Sequence, residues 1–111
     1  MSIEQTKIID FISITPEGSV VLTISDHLSW DVSNQHLLLL QDKLNSYLSY
    51  IESGEIYSSY PNSKGRDILI RVMIKYPPKG DALEFLERAK QTINKAGYNF
   101  ELSMTNSIAT A

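Results

Sequence analysis

Asp26-His27-Leu28-Ser29-Trp30-Asp31, and the amphipathic stretch that follows it as far as Ile51-Glu52-Ser53-Gly54, decide the fold of this chain. Immediately upstream, Val20, Leu22 and Ile24 alternate with Val21, Thr23 and Ser25, the two-residue period of a strand over 20–26. Downstream, Leu37, Leu40, Leu44, Leu48 and Ile51 recur at spacings of three and four, which places them on one face of a helix that Gly54 is positioned to end. Asp31, Ser33 and Asn34 are each suited to accept a first-turn N–H, so the helix start is left among them. Leu38, Leu39, Tyr47 and Tyr50 widen the apolar stripe, which implies a helix covered on more than one side.

The rest of the chain builds outward from this unit. In residues 6–14 the β-branched enrichment argues for a strand, with Asp10 and Ser13 interrupting Ile8, Ile9, Phe11, Ile12 and Ile14. Thr15-Pro16-Glu17-Gly18-Ser19 turns that strand into a hairpin with 20–26. Residues 55–66 read as a loop, and 68–76 alternate strictly as a half-buried strand that Pro77-Pro78 stops. Asp81 and Glu84 have capping-box spacing ahead of Phe85, Leu86, Ala89, Ile93 and Ala96, Gly97 caps that helix, and Tyr98, Phe100, Leu102 and Met104 mark a last strand. The expected architecture is α+β, an α/β two-layer sandwich of order ββαβαβ. A four-stranded sheet would carry two helices on one face, with its strand order open. One domain is expected over 1–111, with an ordered core of about 6–104 and a tail at 105–111.

Composition narrows the function classes. Hydrophobic residues at 42% and charged residues at 21% are ordinary for a globular domain. The longest apolar run, Leu37–Leu40, is far too short to span a bilayer, and the opening residues lack a signal-peptide pattern. Cysteine is absent, which excludes disulfide and thiolate chemistry and makes the cytoplasm the expected location. The net charge of −3 conceals halves of about −6 (1–56) and +3 (57–111) that interleave in a small domain. With a sequence pI of about 5.3, nucleic acid is not an expected partner.

Thr23-Ile24-Ser25-Asp26-His27-Leu28-Ser29-Trp30, then His36-Leu37, Leu40-Gln41, Lys43-Leu44-Asn45, Tyr47-Leu48 and Ile51-Glu52-Ser53-Gly54, resemble a family of small uncharacterised bacterial domains. Tyr60-Pro61, Gly65-Arg66 and Lys75-Tyr76-Pro77 extend the resemblance, which runs from about Thr6 to Leu102. It implies a stand-alone bacterial protein and brings no catalytic residue with it.

No catalytic, metal or phosphate motif is present. His27 and His36, near Asp26 and Asp31, lack metal-ligand spacing and read as surface or strand-end hydrogen-bonding groups, so no metal or cofactor is expected. Trp30 should close one end of the core while its N–H finds an acceptor. Tyr47 and Tyr57 read as caps on the sheet-helix core, and Glu101 as a cross-strand counter-ion for Arg71 if their strands are neighbours.

The favoured expectation is a non-enzymatic protein-interaction or accessory module, with a second copy among the candidate partners. Its candidate surface is the sheet face away from the helices, where Phe11, Leu69, Arg71, Met73 and Lys75 share a parity with Ile9 and Val21. The alternative is a small-molecule binder or enzyme with a pocket formed by His27, Trp30, Tyr57, Tyr60 and Arg66. A weaker third reading, by analogy alone, is a toxin-neutralising partner.

Overall fold

The computed structural model of the chain describes residues 9–30 and 35–104. The hairpin forms as the turn chemistry dictates: β1 (Phe11–Ile14) and β2 (Val20–Asp26) run antiparallel, and Gly18 donates to the Thr15 carbonyl at 2.9 Å. Gly18 has a φ of +94°, and a Cβ there would lie 3.0 Å from the Arg66 guanidinium, so both the dihedral and the space favour glycine. A long helix, α1 (Gln35–Glu52), crosses over to β3 (Ile68–Ile74), and α3 (Asp81–Lys95) crosses over to β4 (Asn99–Met104). The three candidate caps for the start of α1, and the tail at 105–111, lie outside the described residues.

Strand order is β1-β2-β3-β4, with β2, β3 and β4 mutually parallel, so each crossover joins neighbours. Val20, Leu22 and Ile24 of β2 and Ile68, Ile70, Val72 and Ile74 of β3 form one cluster with Leu40, Leu44, Tyr47 and Ile51 of α1 and Leu86 and Ile93 of α3. Both helices therefore cover the same sheet face, giving the expected two-layer arrangement.

Three expectations are corrected and one is met. Residues 55–66 are not plain loop: they hold a short helix, α2 (Glu55–Ser59), and a 3-10 turn at Pro61–Ser63, with Ile56 buried in the core. Asp81 is the first residue of α3, and Gly80 occupies the N-cap position. Gly97 follows the helix with φ +99°, and Tyr98 N–H to Ile93 and Gly97 N–H to Asn94, both 3.1 Å, close a Schellman motif there. Ile9 leaves the parity of the open face and packs against the core, because the chain ahead of β1 turns toward α1.

Candidate functional site

Two buried charged positions on the helix side of the sheet, Lys43 and Asp10, were missed as core, and both gather around Tyr47, which the sequence did place there. Lys43 lies on the buried face of α1 with Leu40, Leu44 and Tyr47, and its ammonium meets the Asp10 carboxylate at 2.8 Å. Asp10 spends its second oxygen on the Ser25 N–H at 3.0 Å, so a side chain completes the β1–β2 edge where backbone pairing has ended. The Tyr47 hydroxyl accepts from the Asp10 N–H at 2.8 Å and donates to the Thr23 carbonyl at 2.7 Å. Burial pushes the Tyr47 pKa well above its ordinary value and keeps the phenol neutral.

The second cluster lies where the β2 end meets the start of α1. His36, read as a surface or strand-end hydrogen-bonding group, is the latter and is buried: its Nε2 lies 2.5 Å from Asp26 Oδ2 and its Nδ1 3.1 Å from the Ser29 carbonyl. A carbonyl can only accept, so Nδ1 carries a proton, and a second proton lies between Nε2 and the carboxyl. Burial raises the Asp26 pKa, and the His36 contact opposes that shift. Trp30 stacks on the imidazole with centroids 3.8 Å apart and planes at 16°, while its indole N–H donates to the Tyr76 carbonyl at 2.9 Å. Leu28 N–H donates to Asp26 Oδ1 at 3.2 Å, and Lys75 N–H to the Asp26 carbonyl at 3.1 Å. This constellation looks like half of a catalytic triad. Yet both ring nitrogens are engaged within the protein and the ring face is covered, so the arrangement clamps β2, α1 and the segment after β3 together.

The candidate pocket residues are not brought together. His27 and Trp30 follow the end of β2, whereas Arg66 precedes β3 and donates to the Gly18 carbonyl, at 3.0 Å, and to the Asn62 carbonyl, at 2.7 Å. Because Val20 pairs with Ile68 and Asp26 with Ile74, the two groups lie at opposite ends of the parallel strands. That span is six residue steps, about 20 Å at the usual rise. Tyr57 lies in α2 half-buried against the core, Tyr60 follows it, and His27 is exposed. Among the described residues no group of three His, Cys, Asp or Glu could hold a metal ion.

Four of the candidate surface residues, Phe11, Leu69, Arg71 and Met73, share a face. One row across the sheet reads Phe11, Thr23, Arg71, Glu101, and the neighbouring rows bring Leu69 beside Val21 and Met73 beside Ser25. Phe11 is 60% exposed, Leu69 and Met73 are half-buried, and Arg71 Nε donates to Glu101, the counter-ion expected for it. Lys75 lies one residue beyond β3, with its ammonium 5.6 Å from the Tyr76 ring centroid.

Fold and interior together define a small α/β two-layer domain whose polar chemistry is turned inward. The chain belongs to DUF6572, a family of unknown function whose match covers residues 1–106. No curated protein and no solved structure matches the chain. No helix among the described residues is long and apolar enough to cross a membrane.

Proposed function

We propose that this chain is a non-enzymatic protein-interaction module of the bacterial cytoplasm, acting as one domain, and that the sheet face its helices leave uncovered contacts a second copy. The observation that carries this reading is how the side chains divide. His36, Asp26, Lys43 and Asp10 are committed to each other inside the fold, while Phe11, Leu69 and Met73 surround a single Arg71–Glu101 pair outside it. Arg71 and Glu101 are adjacent in one row, so a copy turned by a half-rotation sets its glutamate against the arginine and its apolar residues against their equivalents. Burial of that apolar area drives the contact, opposed by the entropy of association.

Sedimentation velocity tests the reading. The parent is expected to sediment as an oligomer at about 100 micromolar, a regime that reveals weak self-association. Met73→Glu, which brings carboxylates together at the centre of the contact, is expected to reduce the oligomer while leaving the folded spectrum intact. A Met73→Glu variant that associates as strongly as the parent overturns the face contact.

A further inference from the structure

The two edges of the sheet are finished differently. β1 is only four residues long and gives way to Thr15-Pro16, a length that blunts an edge. β4 runs for six residues, has β3 as its only strand neighbour among the described residues, and contains neither proline nor lysine within Asn99–Met104. Its single charge, Glu101, is paired with Arg71 of the neighbouring strand. On the helix side of this edge, Leu102 is 38% exposed and Leu83 of α3 is 54% exposed. With Leu86 and Phe100 they line a shallow concavity rimmed by Glu87 and Lys90.

We propose that β4 pairs antiparallel with β4 of a second copy about a two-fold axis through Leu102, joining two four-stranded sheets into one continuous sheet. Directly opposed residues of an antiparallel pair share a face, which restricts the register. Centred on Leu102, the pairing sets Leu102 against its equivalent and Phe100 against Met104 on the helix side, and Glu101 against Ser103 on the open side. Apolar meets apolar, and no carboxylate faces its copy. Centring on Glu101 would oppose the two glutamates directly, and the other registers shorten the ladder. The same axis exchanges Glu87 and Lys90, one turn apart on α3, so opposite charges can meet across the seam. This self-complementarity, of apolar row and of charge, is what identifies the occupant as a second copy. The contact is independent of the open face, and the two together would stack a pair of joined sheets into a tetramer.

A cysteine-free chain gives a clean test. At the axis, opposed Cα atoms of an antiparallel pair lie about 4.5–5.5 Å apart, inside the range a disulfide spans. Leu102→Cys under mild oxidation is expected to form a covalent dimer at least about tenfold faster than Ser49→Cys, an exposed control on α1 limited by chance encounter. Leu102→Lys, which installs an edge guard, is expected to lower the sedimenting mass with an unchanged circular dichroism spectrum. Leu102→Cys cross-linking no faster than the control overturns the proposal. So does an oligomer that survives Leu102→Lys but is broken by Met73→Glu, a result that leaves the face contact standing.

Discussion

Two ion pairs in this fold place similar charges in opposite settings. Lys43 and Asp10 meet with side chains 0% and 4% exposed, whereas Arg71 and Glu101 meet with 34% and 44% exposed. Removing water from the first pair carries a penalty of several kcal/mol per ion, so it persists only because the surrounding hydrogen bonds are complete. Asp10 holds the Ser25 N–H as well as Lys43, and Tyr47 fixes the Asp10 backbone. The second pair keeps much of its hydration, and its attraction is screened. What differs is the work each pair does. The buried pair dictates how the segment ahead of β1 seats on α1 and β2, whereas the exposed pair only orders a surface.

Lys43→Ala is the severest way to break this comparison. It leaves the Asp10 carboxylate buried without its ion partner and is expected to lower unfolding free energy by about 3–5 kcal/mol in urea denaturation. A loss below about 1 kcal/mol, the range of an exposed pair, would mean that water reaches the site and that the two pairs are alike. The double variant Asp10→Asn with Lys43→Met should recover much of the loss, because it removes both charges and keeps an acceptor for Ser25. Leu44→Ala, on the same buried face, is expected to lose about 2–5 kcal/mol. Leu48→Ala should lose less, since Leu48 is only half-buried. Equal losses at the two leucines would show that the helix face is drawn wrongly.

The hydrophobic periods made β2, β3 and both long helices legible in the sequence, because burial on one face leaves a direct trace in residue order. The polar interior did not stand out for the opposite reason. Lys43 occupies a core position between Leu40 and Leu44, and Asp10 has the core-facing parity of Ile12 and Ile14. Asp10 looked like an interruption of its strand, nothing in the helical period marked Lys43, and only the tertiary pairing of residues 33 apart joins them in one interaction. His36 was hidden in the same way, since its partners Asp26, Ser29 and Trp30 lie before the helix starts. The separation of the candidate pocket residues depended on the parallel register of β2 and β3, which no local pattern states. Parity did carry over to the open face, where Phe11, Leu69, Arg71 and Met73 lie together as alternation implied.

The Asp26–His36 contact sharpens the comparison, because it is buried like the first pair yet holds a shared proton. Burial raises the folded-state Asp26 pKa above its ordinary value of 3.8, so the folded state binds that proton more tightly than the unfolded chain does. Its contribution to stability is complete below that value and is lost as pH rises through the raised pKa. Asp26→Asn removes this titration. The stability of the parent relative to the variant is therefore expected to decline as pH rises from below 3.8, in paired denaturation curves. A rise over the same interval would mean that His36 holds the group as a carboxylate, and that its environment resembles the Lys43–Asp10 site.

The smallest effect is expected at the exposed pair. Arg71→Ala removes a partner from a carboxylate that water can still reach, and should lower stability by about 0.2–1 kcal/mol at low ionic strength. The loss should shrink toward zero near 1 M salt, where the Debye length falls to about 3 Å. The loss at Lys43→Ala should persist there, because ions cannot enter to screen a fully buried pair. Salt dependence thus separates the two pairs more cleanly than magnitude alone, which side-chain packing also affects. If Arg71→Ala cost several kcal/mol and resisted salt, the Arg71–Glu101 pair would be covered in solution. In a chain whose helices lie on the other face, that cover is what a second copy seated on the open sheet would supply.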